Sequence, residues 1–210
     1  MNNIIRLSMV LTIVTVVAAF VLAEIYSVTK PQIELQKLAK TREALHFVLP
    51  DAQHMSAITR KVPVRDGDGV TLYEKEEIMF YEAFSDPDSQ RLRGYAFKAE
   101  GSGYSSIIET MVGIDTAGVI QNIKIISQKE TPGLGALAED SDPFTGKKWS
   151  TQQFIGKTIN DLKVDKDGGE IVSITGATIT SRTITNSIRD ELKTLLPQIA
   201  PPQDQPVEED

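Results

Sequence analysis

The first strong pattern along the chain is a continuous apolar run. From Leu7 to Ala23 no charge, glycine or proline interrupts it. Adding Ile4, Ile5 and an Arg6 whose charge can snorkel gives about 30 Å of helix, the depth of a bilayer core. The pattern predicts a transmembrane anchor within residues 1–29. A cleavable signal peptide is the competing reading, because Val21-Leu22-Ala23 places small residues at −3 and −1. The run exceeds the usual apolar region of such peptides, which favours a retained anchor. Apolar spacing then turns helical from Pro31 to Leu49. Leu35, Leu38, Leu45 and Leu49 fall near one face, Lys37, Lys40 and Glu43 lie off it, and Pro50 stops it. This predicts a helical neck within residues 30–60.

Alternation replaces the helical period further along. Gly94 to Glu100 puts Tyr95 and Phe97 on one side. Ile107–Ile114 and Val119–Ile126 flank Asp115-Thr116-Ala117-Gly118, a strong hairpin signal. In the second of these strands Ile123 and Ile125 face one way, Asn122 and Lys124 the other. Lys61 to Tyr81 shows no clear period. Ile171, Val172 and Ile174 read as a short strand. A helix is expected from Thr180 or Ser181, either of which could cap it. Ile184, Ile188, Leu192, Leu195, Leu196 and Ile199 would form its buried stripe, with Asp190 and Glu191 exposed. The expected fold is α+β, a twisted and mainly antiparallel sheet with packed helices, spanning residues 61–199 behind the anchor. Residues 200–210, proline-rich and acidic, read as a disordered tail.

Composition narrows the chemistry. The 210 residues carry 22 Lys+Arg against 29 Asp+Glu, a net charge of −7, and no basic stripe that would bind nucleic acid. There is no cysteine, which excludes disulfides, thiolate-held iron–sulfur clusters, haem attachment through Cys-x-x-Cys-His and Cys-type zinc sites. The only histidines, His46 and His54, have no partner at ligand spacing, so a metal centre is not expected. Any redox chemistry would need an organic cofactor.

Two segments exceed what packing requires. Lys129-Glu130-Thr131-Pro132-Gly133-Leu134-Gly135-Ala136 follows the hairpin, with a Pro-Gly turn and a glycine that permits close approach. On composition alone it is equally an ordinary loop. Ile171 to Arg182 supplies most of a hydroxyl cluster, Ser173, Thr175, Thr178, Thr180, Ser181 and Thr183, around Gly176-Ala177 at a helix start. That is either a well-capped helix or an anion site, since unpaired amides and the helix dipole converge there. It is not a P-loop, because no lysine follows the glycine. A hydrolytic Ser or Thr is excluded by the lack of histidine in the second half of the chain.

Together the segments KETPGLG and Thr175-Gly176-Ala177-Thr178-Ile179-Thr180-Ser181 resemble the FMN-binding domain family. The N-terminal span, the neck, the Gly-Tyr strand and a Phe144…Trp149…Phe154 segment extend the likeness to most of the chain. Within the family it is similar to the G subunits of Rnf ion-translocating electron-transport complexes. The C subunits of Na⁺-translocating NADH:quinone reductases are the near alternative. The resemblance implies FMN esterified through its phosphate to Thr178 by a flavin transferase that uses FAD as donor. It implies further cofactor contacts at Glu130, Thr131, Gly133, Leu134, Gly135, Thr175, Gly176, Ala177, Thr180 and Ser181. It also implies an electron-relay subunit among other membrane and redox subunits, coupled to Na⁺ or H⁺ transport. No substrate site of its own is expected. The domain would sit on the extracytoplasmic face of the cell membrane, although Lys30, Lys37, Lys40 and Arg42 after the span weigh the other way by charge count. Family members commonly carry Asp six residues before the modified threonine, where this chain has Val172, with Glu170 nearby. The rival from another class is a non-redox extracytoplasmic module binding some other anion in the same place.

Overall fold

The structure is a computed structural model that describes residues 2–67, 71–86, 88, 91–140 and 148–199. The expected tail and Phe144 lie outside the described residues. Helix α1 covers Asn2–Val48 and passes through Pro31. Residues up to Arg42 form one compact unit and those from Glu43 another.

In the first unit the apolar side chains from Ile4 to Val28 are exposed, and the helix is long and apolar enough to cross a membrane. Its hydroxyls are compatible with lipid. Thr12, Thr15, Ser27 and Thr29 donate to the carbonyls of Ser8, Thr12, Glu24 and Ile25 at 2.7–2.9 Å, leaving no bare O–H among these four.

The second unit is built on a five-stranded antiparallel sheet whose spatial order follows the chain. The strands are β1 (His54–Arg65), β2 (Thr71–Phe84), β3 (Leu92–Ser102), β4 (Ile107–Asp115) and β5 (Ile120–Ser127). The hairpin between β4 and β5 turns where the sequence places it. Asp115 Oδ1 accepts the Ala117 and Val119 amides, and Gly118 takes φ +82°. Alternation then assigns the two faces. Phe97, Ile108, Val112, Ile114 and Ile123 lie in one core with Ile184, Ile188 and Leu192 of helix α3 (Thr178–Ile199). Phe154 of the short helix α2 (Trp149–Phe154) joins them.

On the other face Ala83, Ala96 and Met111 pack with Ala44, Leu45 and Val48 from the end of α1. The approach is close. A Cβ on Gly113 would lie 2.6 Å from the Val48 carbonyl oxygen. This second layer explains why Lys124, on the polar side of β5, is half-buried. It pairs with Glu43 at 2.6 Å and lies over the Phe47 ring.

Four local expectations need correction, and the stretch without a clear period can be assigned. Residues 54–60, grouped with the neck, belong to β1, because helix α1 stops at Val48. Within Lys61 to Tyr81, residues 61–65 and 71–80 pair as a two-stranded ribbon that leaves the sheet: Lys61 pairs with Glu76, while β2 meets β3 only from Tyr81. Its outer part half-buries Val62 and Val64 of β1 but leaves Thr71 to Ile78 of β2 exposed, so only a short stretch of one strand carries an alternation. Ile171–Ile174 is not a strand; Ile171 makes a single bridge to Val164. Helix α3 begins at Thr178, before the expected cap, because the turn at Gly176 (φ +77°) finishes there and the Ser181 amide already bonds the Ala177 carbonyl. On that helix Glu191 is half-buried, and burial pushes its carboxyl up.

Candidate functional site

Three segments converge where the sheet ends against the start of α3: residues 103–106, 130–135 and 176–180. Glu130, just past β5, joins them. It is buried at 6% exposure, yet both carboxylate oxygens are satisfied. Oε1 accepts the amides of Ser105 and Ser106 at 3.0 and 3.1 Å and the Ser106 hydroxyl at 3.1 Å. Oε2 accepts the Tyr104 amide at 3.1 Å and the Thr180 hydroxyl at 2.7 Å. Burial alone would raise this carboxyl, but the donors from Thr180, Ser105, Tyr104 and Ser106 outweigh it and hold it below the ordinary glutamate range.

The glycines make that convergence possible. A Cβ on Gly103 would sit 2.6 Å from Glu130 Oε1, and one on Gly135 would sit 2.6 Å from Thr180 Oγ1. Gly133 (φ +75°) turns the loop so that the Leu134 and Ala136 amides reach the Thr131 carbonyl.

Between the three segments lies a cavity of about 430 Å³, lined by Tyr104, Glu130, Thr131, Leu134, Gly135 and the stretch from Gly176 to Thr180. That is within the roughly 300–1,000 Å³ usual for small-molecule sites. Of the residues singled out in the sequence, Gly133, Thr175 and Ser181 are not in the lining. Gly133 shapes the loop, Thr175 is exposed, and Ser181 is fully buried. The Ser181 hydroxyl accepts the Ile174 amide and donates to the Ala177 carbonyl.

Accounting for the hydroxyl cluster separates its members. Ser173 donates to Asp165, Thr180 to Glu130, Ser181 to Ala177 and Thr183 to the Ser102 carbonyl. Among the described residues the Thr178 hydroxyl has no hydrogen-bond partner and lines the cavity at the first position of α3. The opening amides of a helix have no carbonyl one turn back, so an anion here meets donors and the positive end of the dipole.

The approach to α3 is fixed from outside the cavity. Trp149 Nε1 donates to the Val172 carbonyl at 2.7 Å, and the Val172 amide donates to Gln153 Oε1 at 3.1 Å. Asp165 accepts both the amide and the hydroxyl of Ser173, which lowers its carboxyl to about 2. Glu170 pairs with Lys157. Position 172 is therefore held through its backbone by α2, and its exposed side chain takes no part. No cluster of three metal-ligating side chains occurs among the described residues. Tyr104 and Ile179 were missed in the sequence. The available signals were an aromatic inside the turn Gly103-Tyr104-Ser105-Ser106 and a large apolar residue in the first, otherwise hydroxyl-rich, turn of a helix.

The chain is 33% identical over 187 residues to the G subunit of the Na⁺-translocating ferredoxin:NAD⁺ oxidoreductase complex of Acetobacterium woodii, covering 87% of both chains. It is 30% identical to the G subunit of the ion-translocating oxidoreductase complex of Aliivibrio fischeri, over 87% of this chain and 85% of that one. The chain belongs to the family of G subunits of ion-translocating oxidoreductase complexes. Residues 103–193 match the FMN-binding domain, a range that contains every residue lining the cavity. Residues 1–48 match the RnfG N-terminal region, which ends where α1 ends. Among solved structures, the C subunit of the Na⁺-translocating NADH-quinone reductase from Parabacteroides distasonis superposes with a TM-score of 0.46 at 20% identity, covering 72% of this chain and 80% of that one.

Proposed function

We propose that this chain is a membrane-anchored flavoprotein subunit that carries FMN as a phosphoester on Thr178 and relays electrons within an ion-translocating ferredoxin/NAD oxidoreductase complex. One observation carries the choice of residue: Thr178 lines the cavity with its hydroxyl uncommitted among the described residues, whereas Thr180 is held by Glu130. The residues fit the group. Helix-start amides receive a phosphate, while Tyr104, Leu134 and Ile179 offer apolar surface to a flat ring system.

FMN, when bound, supplies an acceptor and donor of one or two electrons; the protein supplies position and surroundings. Thr178 fixes the attachment point at the start of α3. The Gly133 turn and the close-packed Gly135 hold Leu134 over the cavity, with a Cβ on Gly176 only 3.0 Å from Leu134 Cδ2. Glu130 locks the 103–106 turn to the first turn of α3 and donates no proton, because its low pKa keeps it ionised. No substrate site of the subunit's own is proposed. A flavin transferase matures the subunit with FAD as donor, membrane lipid surrounds the anchor, and the domain lies on the extracytoplasmic side among the other subunits of the complex.

The test is intact-mass measurement on protein purified from its native host. Wild type should be heavier than its sequence by one FMN minus water and should fluoresce after denaturation. Thr178→Ala should lose both and keep its fold. An added mass that persists in Thr178→Ala but disappears in Thr180→Ala would show that the wrong hydroxyl was chosen. Flavin lost entirely on denaturation of wild type would remove the covalent claim, and a chain that never binds flavin would leave the non-redox module standing.

A further inference from the structure

We infer that Tyr104 is an aromatic contact for the flavin ring and that Glu130 is the residue that positions it; this rests on reading the cavity as the FMN site. Tyr104 is 73% exposed and lines the cavity. Among the described residues its ring meets no other aromatic and its hydroxyl has no hydrogen-bond partner.

Exposed tyrosines commonly sit on loose surface, but this one stands on a heavily tethered turn. Three successive amides, from Tyr104 to Ser106, are bound by one buried carboxylate. The Gly103 amide donates to the Ser106 carbonyl at 2.7 Å, and the Lys129 amide donates to the Ser106 hydroxyl at 2.8 Å. Gly103 has no room for a side chain. So much order around a ring that is largely exposed and meets no other aromatic serves a ligand rather than the core. The rest of the rim is apolar and open as well, with Leu134 at 42% and Ile179 at 49% exposure. An open apolar rim with a fixed aromatic suits a planar heteroaromatic ligand, for which stacking adds affinity and specific orientation.

Glu130 acts from behind the backbone. Its two oxygens are taken up by protein donors, so it serves the ligand by fixing the turn rather than by touching the ring. It is a positioning residue.

The experiment uses the full-length protein in detergent, with its mass gain verified, and reads flavin fluorescence yield and lifetime. An electron-rich ring in contact with flavin quenches its emission. Wild type should be quenched, Tyr104→Leu several-fold brighter with a longer lifetime, and Tyr104→Trp quenched again. Glu130→Gln, which keeps the tyrosine and loosens the turn, should brighten the wild type but add nothing in the Tyr104→Leu background. In a Thr178→Ala background, free FMN should bind about tenfold more weakly once Tyr104 is Leu. A loaded Tyr104→Leu protein with wild-type lifetime and yield would overturn the contact. Equal brightening by Glu130→Gln in both backgrounds would overturn the positioning role. A wild type without the mass gain would instead overturn the FMN reading, and this inference with it.

Discussion

Glu130→Gln is the substitution whose cost the structure specifies most fully. Glutamine is nearly isosteric, so the test isolates charge and acceptor count. Its carbonyl oxygen can occupy the Oε1 position and keep the Ser105 and Ser106 donors, though without the assistance of a full charge. Its NH₂ group then occupies the Oε2 position and faces the Tyr104 amide and the Thr180 hydroxyl. The hydroxyl can rotate and accept, but the amide cannot, and it is left facing another donor. A buried unsatisfied amide costs about 1–3 kcal/mol, and charge assistance adds roughly 1 kcal/mol to each retained bond. Relief from burying a charge offsets part of this. The expected net loss is about 3 kcal/mol, or a fall of about 6–12 °C in Tm for a domain of this size.

The pH dependence supplies a second, independent reading. The folded Glu130 carboxyl lies below its unfolded value of about 4.3, so its contribution is complete above that pH and is lost as pH falls toward the folded pKa. Wild type should therefore lose Tm more steeply than Glu130→Gln as pH is lowered through this acid window, and the gap between them should narrow. The assay is thermal unfolding by circular dichroism in detergent from neutral pH down to the acid range. A loss under about 2 °C at neutral pH, or parallel pH profiles for the two proteins, would refute the reasoning.

Other outcomes follow from single features. Thr110 is fully buried with its Oγ1 unpartnered, so Thr110→Val should stabilise by about 1 kcal/mol, seen as a Tm gain of a few degrees. Gly135→Ala places a methyl 2.6 Å from Thr180 Oγ1 and 2.8 Å from Glu130 Cβ, and should cost about 1–3 kcal/mol in urea unfolding while lowering flavin content. The chain has no cysteine of its own, so Lys75→Cys on the exposed ribbon provides a single label. A membrane-impermeant maleimide should react with it in intact cells if the domain is extracytoplasmic, and only after lysis if it is not.

What was legible in the sequence was whatever a single stretch of chain determines by its own burial. The β4–β5 hairpin shows because each strand buries one face and because Asp115 and Gly118 supply the turn chemistry. The stripe of α3 shows because Ile184, Ile188 and Leu192 reach complete burial at helical spacing. The ribbon of β1 and β2 did not show because its outer part half-buries only Val62 and Val64 and leaves Thr71 to Ile78 exposed, so little period was imposed on it. The second layer beneath the sheet is marked mostly by small residues, Ala83, Ala96 and Gly113, that any surface strand could carry.

The site obeys the same rule at longer range. Gly133, Gly135 and Gly176 were visible because a turn or a close approach limits what can stand there. The work of Glu130 was not visible, since its five donors come from residues 24 to 26 positions before it and 50 positions after it. Read locally, it is one acid in a surface loop between Lys129 and Thr131. Folding places that acid behind a turn containing Tyr104 and beside the first turn of α3, so its charge fixes two walls of one cavity. The choice among hydroxyls follows from the same contact. Once Thr180 is committed to Glu130 and Ser181 to the turn before the helix, Thr178 is the hydroxyl at the start of α3 that lines the cavity uncommitted among the described residues. The proposed attachment at Thr178 draws on two separate supports: the spacing of the motif along the chain and a hydroxyl at the start of α3 that makes no hydrogen bond among the described residues.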